Sequence, residues 1–552
     1  MPACLARLCT LLATALLVLA GGAGARAQES RLPDIGSSAG TVLGPAQQAE
    51  YGRMLLAQLR HYGYVLEDPL VESWLQSTGN RLAAASDNPE QPFTFFMMKD
   101  RSINAFATLG GYIGMNAGLV LAAETEDEVA AVLGHEVAHV TQAHVLRSVE
   151  RAQRDSIPLL LAMLGAIAIA QSAGGNSADD ASMAAIATAQ GLAAQRQINY
   201  TRSNESEADR IGIRTLARSG YDPGAMASMF ERMHAVSRTN QGGERERLPD
   251  YLKTHPVTTV RISEAKDRAE RLGASAVKGT VSTPTATVTQ RIPIGGATVP
   301  EGPRLGDNPL LPPGLSLDGG LAAARRDEFG WARERLRVLS ANTPEAALRE
   351  YERLAAARPL DDAQRYGLAF AQLRTGRAEQ AVATFAALLE QHPGDVWLTI
   401  GLAEAEAHAG RHEAADRRFE ALLDRMPRHP AVALSYAEVL VARNTPEAGR
   451  RARDVLRPLM AGNVSDPAFQ RTFARANEIA GDPVRAGEAW AEAAFLSGRE
   501  EQALVQLNTL KKREDLDYYA RARIDARIAQ ITPVVLELRR QGVRDPDLNR
   551  RF

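Results

Sequence analysis

The sequence predicts two architectures in one chain: a mixed α+β domain over residues 28–273 and an all-α repeat solenoid over residues 321–552. Three observations lead there. Strand-like alternation and helical periodicity are interleaved up to about Leu272, whereas from about Ala322 the pattern is helical almost throughout. Between them, residues 274–320 are rich in Pro, Gly, Thr and Val without lasting periodicity, and read as a linker. The third observation is an internal repeat. Ala347, Ala381 and Ala415 stand 34 residues apart, as do Tyr351, Phe385 and Phe419, and Pro359, Pro393 and Pro427. Gly367 pairs with Gly401, and Gly376 with Gly410, at the same interval.

Residues 1–27 have the form of a cleaved signal peptide. Arg7 supplies a basic start, Thr10 to Leu19 a short apolar run, and Ala25-Arg26-Ala27 the small-x-small pattern before an expected cut at Gln28. The run falls short of the roughly 20 apolar residues that span a bilayer. The only cysteines, Cys4 and Cys9, lie inside this segment, so the exported chain would have neither disulfides nor thiolate metal sites. A formal charge of −2, from 64 basic and 66 acidic residues, argues against nucleic acid as a partner.

The chemistry concentrates at Gly134-His135-Glu136-Val137-Ala138-His139. On a helix, His135 and His139 lie four residues apart on one face, the spacing that lets two imidazoles converge on one metal ion. Glu136 lies beside them, placed to take a proton from water without ligating the metal. Thr125 to Glu128 reads as a capping box that starts this helix. Downstream, Glu205 and Asp209 are also four apart on one helical face. Glu205 can complete a two-histidine, one-carboxylate site, and Asp209 can accept the free ring N–H of a ligating histidine. Glu207 would point to solvent, and His144, five residues past His139, would fall off the ligand face.

The set GHEVAH, SNESEADRIG and THPVTTVRI resembles the HtpX and CAAX-protease superfamily of zinc metallopeptidases. Thr201-Arg202 stands where the family usually has Ser-Arg, a mild departure. The resemblance implies one zinc ion held by His135, His139 and Glu205, with Glu136 as general base. It also implies a zincin-like fold for the α+β domain, followed by a tetratricopeptide-repeat solenoid. That repeat name follows from the 34-residue period, with Gly at the turn and Pro closing the second helix. Neighbouring repeats bury what one helix pair cannot, and stack into a superhelix with a concave face. A weaker continuation runs through Gly481, Ala489 and Leu507, where the register drifts.

Ser102 to Ala107, Gly110-Gly111 and Tyr112 to Met115 read as a hairpin turned by the glycine pair. The resemblance makes Asn104, Ala105 and Phe106 the edge that pairs with a substrate backbone. Three readings of His255 stay open: an exposed loop residue, a transition-state donor, or an imidazole filling the metal's open position. Arg202 is a candidate for holding a developing oxyanion. The 14-residue apolar run Ile157 to Ala170 is too short for a span; it reads as packed hairpin, with membrane-surface contact as the sharper alternative. By resemblance, the expected function is a periplasmic endopeptidase acting on unfolded or misassembled outer-membrane proteins. Its repeats would engage those substrates or their assembly machinery. The rival expectation is a chaperone or scaffold acting through the repeats, with latent protease activity.

Overall fold

The computed structural model describes residues 43–151, 200–239, 251, 255–278, 317–462 and 465–540. The expected leader, the apolar run 157–170 and residues 279–316 of the expected linker lie outside the described residues. The described residues from Pro45 onward form one compact unit. No helix among the described residues is long and apolar enough to cross a membrane.

The α+β half is built on a four-stranded sheet of order β1-β2-β4-β3, with β1 at Val65–Leu66, β2 at Thr94–Met98, β3 at Ala105–Ala107 and β4 at Tyr112–Asn116. The expected hairpin is present: β3 and β4 pair antiparallel, and Gly110 and Gly111 turn the chain at φ 74° and 81°. Asn104 sits just before the strand and its carbonyl accepts from the Asn116 N–H at 2.9 Å. Periodicity did not foresee that β2 pairs parallel with β4, opposing Phe96 to Gly114. A Cβ on Gly114 would come within 2.6 Å of the Phe106 ring and 2.8 Å of Phe96. Its absence lets the two rings meet edge to face at 5.8 Å across the central strand. The strand β3 is thereby left as an edge.

Helix Glu126–Thr141 begins as its sequence suggests, with Thr125 Oγ1 accepting from the Glu128 N–H at 3.3 Å. The reciprocal bond is displaced by one residue, because the Glu128 carboxylate accepts from the Glu124 N–H at 2.7 Å and from Arg232. Residues 129–133 are wholly buried and anchor this helix in the core.

In the solenoid, helices Pro344–Ala357, Ala378–Gln391 and His412–Arg425 alternate with Asp362–Arg374, Val396–His408 and Pro430–Ala442. The repeated glycines have a visible cause. A Cβ on Gly367 would overlap the Tyr351 ring, and one on Gly401 would meet Phe385 at 2.8 Å. Gly376 and Gly410 both take φ 78° at the interhelical turn. The register drift is also explained: the extra turn Arg457–Leu459 stretches the interval between Pro430 and Pro467 to 37 residues. Helices then continue through Pro483–Leu496 and Glu500–Lys511 to Tyr518–Arg540.

The repeats wrap the α+β half rather than trail from it. Helix Pro69–Ala84 packs against both Leu317–Leu339 and Pro430–Ala442. Its N-cap Asp68 accepts from Val71 N–H at 3.1 Å and also receives Arg335 Nε at 2.8 Å. Arg335 is 4% exposed and lies 4.0 Å over the Phe370 ring. Further along, Arg471 pairs with Glu67, and Arg53 sits 5.0 Å over the Phe495 ring. The repeat helices Leu317–Leu339 and Pro430–Ala442 are therefore partly covered by the chain's own helix Pro69–Ala84.

Glu438 reaches solvent, yet the helices packed around it and the nearby Glu404 and Asp68 disfavour its charge and push it from an ordinary 4.5 up to about 7. Between those values the folded chain keeps a proton that the unfolded chain has lost. Stability should therefore fall as pH rises through this window. Urea unfolding across pH 4.5–7 should show the decline from this group in the wild type and its loss in Glu438→Gln.

Candidate metal centre

Three elements build the site. Helix Glu126–Thr141 carries His135, Glu136 and His139, and the helix at 200–218 carries Glu205, Glu207 and Asp209. The two cross at a pair of glycines: a Cβ on Gly212 would stand 3.1 Å from His135 N and 3.2 Å from the Gly134 carbonyl. The tight position is Gly212, whereas a Cβ on Gly134 would meet the Gly212 carbonyl at an ordinary 3.4 Å. The third element is the segment around Tyr251 and His255, leading into helix Thr259–Lys278 with Arg261.

His135 Nε2 and His139 Nε2 are 3.0 Å apart, and each lies 3.4 Å from a Glu205 carboxylate oxygen. Ligand bonds of about 2.0–2.1 Å in a tetrahedron put its corners about 3.3 Å apart, so this spacing fits a divalent metal. His255 Nδ1 lies 2.9 Å from Glu205 Oε1 and 3.4 Å from His135 Nε2, at a fourth corner. One donor atom from each of His135, His139, Glu205 and His255 falls within 4.8 Å of the others. Behind His135, Asp209 Oδ1 stands 2.9 Å from Nδ1. That contact leaves Nε2 facing the cluster.

Charge argues the same way. Burial disfavours a proton on His135, but Asp209 and Glu205 outweigh it and push His135 up to about 10. Burial would raise Glu205, yet its three histidine neighbours hold it well below the usual carboxylate range. The two buried carboxylates thus select positive charge at this point, which a divalent ion supplies with His135 deprotonated. Beside them Glu136 is 1% exposed, and neither of its carboxylate oxygens has a hydrogen-bond partner among the described residues.

Several residues were missed or misread from the sequence. Arg202 is exposed, and the guanidinium at the cluster is instead that of Arg261. Arg261 forks onto Asp209 at 2.7 and 2.8 Å, reaches Glu205 Oε2 at 3.0 Å and donates to the Pro256 carbonyl at 2.9 Å. Its position six residues after His255 was the available signal. Tyr251 is buried and stacks on His255 at 4.7 Å, while its N–H donates to the Ile103 carbonyl just before the edge strand. His144 is not among the metal-facing donors, as expected, but its Nδ1 stands 2.9 Å behind His139 at Nδ1, a contact the sequence did not reveal. Glu207 is not merely solvated, since it lies 3.1 Å from His144 Nε2. Burial and the adjoining His139 hold His144 down at about 4.

With that geometry in place, the comparisons are specific. Residues 69–269 match the family model for peptidase family M48, and residues 338–398 and 377–434 match a tetratricopeptide-repeat model. The chain is 42% identical over 240 residues to a putative beta-barrel assembly-enhancing protease of Vibrio cholerae, covering 44% of this chain and 48% of that protein. It is 36% identical over 241 residues to the beta-barrel assembly-enhancing protease of Escherichia coli O157:H7, covering 44% and 47%. A more distant relative is the metalloprotease LoiP of Escherichia coli, 26% identical over 180 residues, covering 32% of this chain and 63% of LoiP. The matched stretch spans about half the length of the first two relatives. Residues 69–269 are thus a match to peptidase family M48, and segments that match tetratricopeptide repeats follow them in the chain.

Proposed function

We propose that this chain is a zinc-dependent endopeptidase exported to the periplasm, with residues 28–273 as its catalytic domain and residues 321–552 as its repeat domain. The observation that carries the reading is the tetrahedral spacing of His135, His139 and Glu205 donors beside Glu136, whose carboxylate accepts no hydrogen bond among the described residues. Zinc held there supplies Lewis acidity toward a peptide carbonyl and makes nearby water a better acid. Glu136 takes the proton of the attacking water and returns it to the leaving nitrogen. The edge strand β3 offers backbone groups to an extended substrate, a mode indifferent to side-chain identity and suited to unfolded segments. The relatives' names point to outer-membrane β-barrel proteins as the client class, and the leader to the compartment in which they are met.

A specific observation also supports a closed resting state. His255 Nδ1 stands at the corner that water needs, and Tyr251 N–H engages the Ile103 carbonyl beside the edge strand. The segment therefore competes with both reactants, and the chain would serve as a repeat scaffold until a partner draws it aside.

The test uses the purified full chain, metal analysis and a casein-like substrate with and without chelator. One zinc per chain and chelator-sensitive cleavage are expected, with Glu205→Gln losing the metal. His255→Ala should raise basal cleavage several-fold. A fall in cleavage with metal retained would instead make His255 a transition-state donor, and no zinc in the wild type would end the hydrolytic reading.

A further inference from the structure

The two histidines that face the metal point are backed by different chemistry. Behind His135 stands the carboxylate of Asp209, itself gripped by Arg261. Behind His139 stands another imidazole. His139 Nδ1 and His144 Nδ1 are 2.9 Å apart, and His144 Nε2 continues to Glu207 Oε2 at 3.1 Å. Glu207 is held in turn by Arg147 at 3.4 Å and Arg210 at 3.9 Å. His144 is 2% exposed, so water does not compete for these bonds.

The backbone is bent to make this contact. Helix Glu126–Thr141 ends before His144, and Ala143 takes φ 52°, a left-handed conformation uncommon for a residue with a Cβ. A continuous helix would carry His144 off the ligand face. The break at 142–143 turns it back onto His139, and the helix resumes at 144. Strained backbone of this kind persists where the surroundings hold it.

Resting on the metal reading above, we propose that His144 is the positioning residue of His139. With both imidazoles neutral and Glu207 ionised, one arrangement of protons satisfies every member of this chain of contacts. His139 donates its Nδ1–H to His144 Nδ1, and His144 donates its Nε2–H to Glu207. His139 is thereby held in the tautomer whose Nε2 lone pair faces the metal point. The ligand's orientation then depends on a residue outside the ligand set and on a carboxylate from the opposite helix.

The side-chain amides discriminate this role from simple packing. In Asn the Oδ1 falls near the place of the imidazole Nδ1, so His144→Asn keeps an acceptor for His139. In Gln the polar head falls near Nε2, so His144→Gln keeps contact with Glu207 but not with His139. The full chain and the variants His144→Leu, His144→Asn and His144→Gln are compared in three measurements: zinc affinity by competition with a chromogenic chelator, the visible spectrum of the cobalt-loaded protein, and thermal unfolding of the metal-free protein. His144→Leu and His144→Gln should bind zinc about 10–100-fold more weakly and alter the cobalt bands, while His144→Asn recovers most of the affinity. Wild-type affinity in His144→Leu overturns the inference alone. So does an affinity loss shared equally by all three variants that tracks a lower metal-free Tm, because it marks a packing role. A wild-type chain that binds neither zinc nor cobalt overturns the metal reading and this inference with it.

Discussion

Replacing Glu136 with Gln should lower kcat by about 10²–10⁴-fold, the range in which a positioned general base contributes, while zinc content stays at one per chain. The expectation rests on where Glu136 is and on what it does not touch. It is buried, yet both carboxylate oxygens are without a hydrogen-bond partner among the described residues. A buried carboxylate without partners is costly, and a fold keeps one where an incoming group is to be its partner. Across the site His255 Nε2 lies 3.8 Å from Oε1, beyond hydrogen-bond reach. Gln matches the shape but cannot take up a proton, so KM should change little and the loss should fall on kcat. Steady-state cleavage of a fluorogenic unfolded substrate, paired with metal analysis of the same sample, checks it. Cleavage within a few-fold of wild type would remove Glu136 from the mechanism. Loss of zinc along with activity would make it a ligand instead.

How much of this was legible beforehand depended on the range of each signal. The helix bearing His135 and His139 announces itself locally, through a Thr125 cap and an apolar run, and the repeats announce themselves by a fixed interval. Glu205 and Asp209 could be chosen because they share a helical face at the same four-residue spacing. What stayed hidden is what backbone geometry decides between distant elements. The parallel pairing of β2 with β4 is a register that periodicity does not carry, and the close crossing at Gly134 and Gly212 appears only once both helices are placed. The contact of His144 with His139 stayed hidden for a sharper reason: the assumption of an unbroken helix fails at one residue, Ala143. Arg202 was the charge chosen from the sequence, and only the fold shows that Arg261 is the one turned inward.

Arg261 carries the second large effect. Its guanidinium is the cation that stands against two buried carboxylates at once, forked onto Asp209 at 2.7 and 2.8 Å and 3.0 Å from Glu205. Removing one partner of a buried ion pair costs about 3–5 kcal/mol, because the remaining charge is left uncompensated. Arg261→Met should therefore lose stability of that order in the chelator-treated chain, read by urea unfolding. The zinc-loaded chain should lose less, since the ion itself faces Glu205 and leaves mainly Asp209 uncompensated. Arg261→Lys keeps a charge but cannot form the fork, so it should fall between. The same guanidinium donates to the Pro256 carbonyl, next to His255. Losing it therefore frees the segment that stands in water's place while it loosens the Asp209 that orients His135. The activity of Arg261→Met then reports a competition: release of the His255 segment raises basal cleavage, and weaker zinc retention lowers it. Saturating zinc removes the second term. Under that condition cleavage above wild type is expected, whereas cleavage at or below wild type would show that Arg261 does not secure the His255 segment. Equal destabilisation with and without zinc would show that the ion and the guanidinium do not share the Glu205 charge.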